Sequence, residues 1–185
     1  MRNKKAAIEL SIGTVVIIVL AMTMLILGLV LVRTIFSGGQ DIVELTNDQI
    51  LSQVNKLFGE DKKLVIYPAT DTIKVKQGDI GGFAIVISNK LSGVNAQNAE
   101  FDYQVTSVSV VMDDCGISET ELESLFVAGS DSDSRIPIST GDPKPIKILF
   151  DTNEGDPLCT VRFRVDVTAN GKNYDYAFVF VEFTD

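Results

Sequence analysis

No histidine occurs anywhere in the 185 residues, and there are only two cysteines. Lacking histidine, the chain has neither the usual general base near neutral pH nor the commonest metal ligand. Copper sites, catalytic zinc and every His-dependent triad are excluded or disfavoured, and two cysteines are too few for a Cys-rich zinc site. No Asn-x-Ser/Thr triplet is present, so N-linked glycosylation has no acceptor. The dinucleotide fingerprint, the P-loop and the nucleophile elbow are missing as well. The expectation is a protein that is not an enzyme and takes no cofactor, no metal and no small-molecule substrate.

Charge is missing from one long stretch. Leu10 to Val32, LSIGTVVIIVLAMTMLILGLVLV, contains neither a charged residue nor a proline. As a helix rising 1.5 Å per residue it reaches roughly 34 Å, enough to cross a hydrocarbon core of about 30 Å. Ser11, Thr14 and Thr23 carry its only hydroxyl groups and form no polar face. Arg2, Lys4 and Lys5 precede it. The positive-inside bias therefore keeps the N-terminus in the cytoplasm and puts everything after Phe36 outside the cell membrane. A cleaved secretory signal is the alternative, but the run is longer than a typical h-region and no A-x-A-like site follows it.

The formal charge of −9 is unevenly divided. Residues 1–36 carry four lysines and arginines against Glu9, while residues 37–185 carry 12 against 24 acids, a net of −12. Such an outer region repels phosphate backbones, so nucleic acid is not an expected partner. Cys115 and Cys159 both fall there. Outside the cell an even count favours a disulfide, worth roughly 4 kcal/mol for a loop of about 45 residues in the chain-entropy model. Two separate buried thiols are the other reading.

Ser37-Gly38-Gly39 marks a hinge, after which Val43, Ile50, Val54, Leu57 and Phe58 recur at helical spacing up to Gly59. This predicts an amphipathic helix over 40–59, packed within the subunit or serving as a stalk. From Leu64 the pattern becomes that of strands: LVIY, 72–76, 82–88, 101–112, 144–150, 159–168 and 174–183. Asn170-Gly171 is the strongest hairpin turn. Ser118-Glu119-Thr120-Glu121 reads as a capping box opening a short helix through Phe126. VAGSDSDSR after it reads as a flexible acidic loop. The fold class expected is mainly β with a long N-terminal helix: a transmembrane or filament-core helix (1–36), a hinge and stalk helix (37–59), and an immunoglobulin-like β-sandwich (60–185). Asp131, Asp133 and the run Asp151-Thr152-Asn153-Glu154-Gly155-Asp156 supply oxygens of the kind calcium uses, though out of EF-hand order; solvated loop acids are the commoner case.

A short basic head, small residues, a glutamate at the lip of an unbroken apolar helix and then an outer β domain resemble the type IV pilin architecture, in particular archaeal pilin-like and archaellin-like proteins. The resemblance rests on the first ~36 residues and the general layout. It implies a peptidase cut after the head and a glutamate about five residues into the mature chain. Counting back from Glu9 puts the cut between Lys4 and Lys5; a small residue before the cut puts it between Ala6 and Ala7. It further implies a cell-surface filament, assembled as a homo-oligomer through Glu9, Leu10, Gly13, Ile17, Met24 and Gly28. The alternative is a permanently anchored single-pass protein whose β domain binds a partner. Glu9 would then simply lie in the headgroup region beside Lys5.

Overall fold

The computed structural model describes residues 4–36, 41–58, 62–94, 96–108 and 116–185. The chain divides into two units, Met1–Ser37 and Gly38–Asp185. The first is a single helix, α1 (Lys4–Phe36). Its residues Gly13–Val30 are long and apolar enough to cross a membrane, and none of that stretch is buried.

The second unit is mainly β. Two short helices, α2 (Asp41–Glu44) and α3 (Asn47–Phe58), precede eight strands: β1 (Leu64–Tyr67), β2 (Thr72–Lys76), β3 (Ile80–Ile87), β4 (Glu100–Ser107), β5 (Ser132–Pro137), β6 (Lys144–Asp151), β7 (Thr160–Ala169) and β8 (Lys172–Thr184). A further helix, α4 (Glu119–Ser124), lies between β4 and β5. The strands form two sheets, ordered β1-β3-β6 and β2-β8-β7-β4-β5. Neighbours run antiparallel except β2 and β8, which pair in parallel from Thr72↔Phe180 to Lys76↔Thr184.

Period-two alternation sets the faces. On β7, Val161, Phe163, Val165 and Val167 are buried, while Arg162, Arg164 and Asp166 stand on the other side. The inward residues meet Phe83, Ile85, Ile87, Ile148 and Phe150 of the smaller sheet in one core. Phe150 is its centre, with ring centroids 4.7 Å from Phe126, 5.3 Å from Phe163 and 5.6 Å from Phe183. The β7–β8 hairpin closes through Asn170 (φ 50°) and Gly171 (φ 73°), the pair of positive-φ residues that a type I′ turn needs.

The smaller sheet is covered on both faces, which explains the continuous apolar run of β3. Ala84, Val86 and Val65 point away from the first core and pack under Ile42, Ile50 and Val54 of α2 and α3. Of the segment read as a stalk over 37–59, the described residues 41–58 thus lie on the small sheet of the β unit. They also form two helices rather than one. Thr46 breaks the helix and caps α3: its hydroxyl accepts from Gln49 N at 3.4 Å, and Gln49 Oε1 accepts from Thr46 N at 2.8 Å. This reciprocal pair is a capping box, T-x-x-Q, that the helical-period reading overlooked. The break rotates the preceding turn, so Ile42 rather than Val43 is buried, and Val43 is 37% exposed. Gly59 lies outside the described residues.

The second capping box is as the sequence predicts. Ser118 caps α4 with Glu121 as its N3 partner, and the helix ends at Ser124 rather than Phe126. The supposed flexible loop VAGSDSDSR needs correction, because its second half is the edge strand β5. It shows no apolar alternation because only Ile136 and the residues beyond it reach the core. Backbone pairing with β4 and the Asp102 carboxylate, which accepts from Arg135 N at 2.8 Å, hold it instead. The strand expected over 101–112 is described only as far as Ser107.

Candidate functional site

The residues read as carrying assembly all fall on α1. Lys4, Lys5, Ala6, Ala7, Glu9 and Leu10 form its first turns, and their side chains lie outside the described residues. Gly13, Ile17, Met24 and Gly28 are spaced by four, seven and four, so at 3.6 residues per turn they share one stripe. Ile17 is 68% and Met24 74% exposed, and a Cβ added at Gly13 or Gly28 would meet nothing within 4 Å. The whole circumference is apolar and uncovered, so the requirement for a covering medium applies to every face of this helix. A helix apolar all round is buried in a membrane or in protein.

Of the two cysteines, Cys159 is half-buried directly before β7 and is not a free thiol. Cys115 lies outside the described residues, so its pairing with Cys159 stands as a proposal.

Of the acidic residues considered for a cation, Asp133 and Asp156 are engaged with the backbone, Asp133 Oδ1 accepting from Ser134 N at 2.7 Å. Asp156 Oδ2 accepts from Asn153 N at 2.7 Å, and Gln77 Nε2 donates to the Asp156 carbonyl. Buried Thr152 donates to the carbonyls of Lys76 at 2.8 Å and Asp79 at 3.0 Å. These bonds tie the DTNEGD turn to the β2–β3 turn. Among the described residues no group of three or more acids or cysteines could hold a metal ion.

Tyr103, just 4% exposed, donates its hydroxyl to the Ser130 carbonyl at 3.3 Å beside Asp131 and Asp133. Burial first, then the Asp133 and Asp131 charges, push its ionisation up to about 12. The fold keeps the neutral phenol, so this group's contribution to stability is full below pH ~10 and is lost as pH rises toward ~12. Alkaline denaturation should therefore steepen across that window. Tyr103→Phe should flatten it, read by thermal unfolding at stepped pH.

One surface went unnoticed in the sequence. Along β8, Ala177, Val179, Val181 and Phe183 face inward, and Tyr176, Phe178 and Phe180 stand outward, 57%, 40% and 39% exposed. The Arg162 guanidinium carbon lies 3.9 Å from the Phe178 ring centre and 5.8 Å from that of Phe180, while Arg164 sits 4.8 Å over Tyr176. Arg164 spends its charge on Asp166 at 2.7 Å. Arg162 has no carboxylate within ion-pair distance among the described residues, and its Nε is buried without a hydrogen-bond partner. The signal was present in the run YAFVFVEF, which is apolar on both parities although only one face reaches the core.

No protein-family model matches the chain, and no curated protein matches it. Among solved structures, the alkylpurine DNA glycosylase AlkC of Pseudomonas fluorescens, bound to DNA containing an abasic-site analogue, aligns at a TM-score of 0.31 and 12% identity. The alignment covers 64% of this chain and 29% of the glycosylase, so the chain spans under a third of that protein's length. At this level of similarity the match carries no argument about fold or activity.

Proposed function

We propose that the chain is a pilin-like structural subunit of a cell-surface filament, without enzymatic activity, that assembles with copies of itself through α1. The observation that carries this reading is an apolar helix with all of Gly13–Val30 uncovered, followed by a β unit that fills its own two cores. Burying such a helix yields about 25 cal/mol per Å² of apolar surface, whether lipid or neighbouring helices supply the cover. The basic head, Glu9 and the outer β domain favour neighbouring helices, by resemblance to archaeal pilin-like proteins. The α1 helix would first lie in the cell membrane with its N-terminus cytoplasmic, and the β unit would be extracellular.

The strand order also supports an immunoglobulin-like assignment for the sandwich. β1, β3 and β6 take the places of strands A, B and E, and β8, β7, β4 and β5 those of G, F, C and C′. β2 is a split-off part of the first strand that has crossed to pair in parallel with the last.

The intact mass of the native protein from its own cells tests the reading. A chain that has lost its head, beginning at Lys5 or Ala7, supports a processed filament subunit. A chain beginning at Met1 or Arg2 would sink it in favour of a permanently anchored module, which the exposed aromatic face on β8 equips to hold a partner. The same spectrum reads the proposed Cys115–Cys159 bond as the absence of two hydrogens. In the filament reading Glu9→Ala should abolish filaments seen by electron microscopy while the β unit stays folded. Normal filaments would make Glu9 a headgroup residue only.

A further inference from the structure

We infer that the outer face of the β7–β8 pair, centred on Arg162 and Phe178, is a docking surface for the acidic end of a second copy of this chain. The inference rests on the reading of the chain as a self-assembling subunit and names the contact made by its outer domain.

Three exposed aromatics on one strand, two of them under Arg162 and the third under Arg164, have the composition of an interface core, where aromatic residues and arginine are enriched and lysine and acids depleted. Rings and guanidinium already hold one another in place, so little side-chain freedom is lost on docking. Arg162 is the unfinished part. It is stacked, half-buried and without a carboxylate among the described residues, and its planar fork is suited to donate to one in bidentate fashion.

The chain supplies the complementary surface. One end of the sandwich collects the β2–β3 turn, α4 and the β6–β7 connection, joined by Asp151 N to Leu125 O at 2.7 Å and by the Thr152 bonds to residues 76 and 79. Asp79, Glu121, Glu123, Asp151 and Glu154 stand exposed there. In a region of net charge −12 this concentration of carboxylates repels its like and is drawn to a stacked arginine. Face against face, two copies would set arginine against arginine. Face against acidic end is a heterologous contact, which repeats from copy to copy and builds a filament where the rotation does not close a ring. The lysines at the opposite end, among them Lys62, Lys63, Lys90, Lys144 and Lys172, also attract acids. They are strongly hydrated, and only Lys63, 5.0 Å from the Tyr174 ring centre, is recorded over an aromatic ring, without the flat fork that an arginine offers a carboxylate.

The full-length chain, prepared from cells in two isotopic compositions and mixed, would carry a photo-crosslinking phenylalanine analogue at position 178. Hybrid cross-links from 178 to segments 119–125 or 151–158 are expected. Arg162→Glu should weaken association by about 10- to 100-fold, and Phe178→Thr with Phe180→Thr should do likewise. Arg162→Lys, which keeps the charge and loses the fork, should recover only part. Unchanged circular dichroism and thermal unfolding would exclude misfolding as the cause. The inference is overturned if position 178 cross-links only to lipid, to another protein or to the lysine-bearing end, or to nothing, and equally if Arg162→Glu associates as the unmodified chain does. Filaments without the hybrid cross-links would remove this contact and leave the filament reading standing. Hybrid cross-links between unprocessed, membrane-held copies would do the reverse.

Discussion

Phe150→Ala is expected to remove about 3–5 kcal/mol from the stability of the β unit. The side chain has no exposed surface, and its ring contacts Phe83, Phe126, Phe163 and Phe183, so it joins both sheets and the segment after α4. Truncation loses the transfer free energy of the ring and leaves a cavity whose walls are themselves fixed strands, which limits collapse. Against a typical total of about 5–15 kcal/mol, the loss would bring unfolding close to working temperature. Thermal and denaturant unfolding of the full chain measures it, with Val94→Ala, at a 99% exposed site, as the unchanged control. A loss under about 1 kcal/mol would mean that the two sheets are not joined through this ring.

Gly82→Ala should be at least as damaging, by overlap rather than cavity. A methyl at Gly82 would overlap the Ile148 carbonyl oxygen and lie 3.0 Å from its carbon and 3.1 Å from Leu149 Cα. These are backbone atoms of the paired strand, Gly82 facing Leu149 in the ladder, so no rotamer change relieves the contact. β3 and β6 must part, which opens hydrogen bonds in the sheet that carries both cores. The expected cost exceeds about 3 kcal/mol, at the severe end for a single methyl. Amide hydrogen exchange should show protection lost first along residues 80–87 and 144–151. Uniform protection equal to that of the unmodified chain would refute the close approach of the two backbones.

Both substitutions test features that a reading of the sequence reached only in part. Gly82 was legible as part of a strand, but its glycine requirement depends on how closely β6 approaches. The alternation on β7, the Asn170-Gly171 turn and the Ser118 capping box were readable because each is decided by residues within a few positions of one another. The α2–α3 break was readable in principle from Thr46 and Gln49, yet a helical period drawn across it placed Val43 on the wrong side. β5 was not readable, since an edge strand that sends mainly Ile136 inward has no apolar pattern and is held by pairing with β4.

The candidate surfaces divide in the same way. By itself the sequence determined the apolar helix, the acidity of residues 37–185 and the lack of histidine side chains. These are sums over composition and over contiguous residues, and they need no partner to be read. Only the tertiary structure decided that residues 41–58 lie on the small sheet, that β2 joins β8 in parallel, and that Arg162 is stacked on Phe178. Each of these depends on which distant segments meet. That choice is made by the simultaneous burial of both faces of β3 and one face of β8, which no local pattern contains.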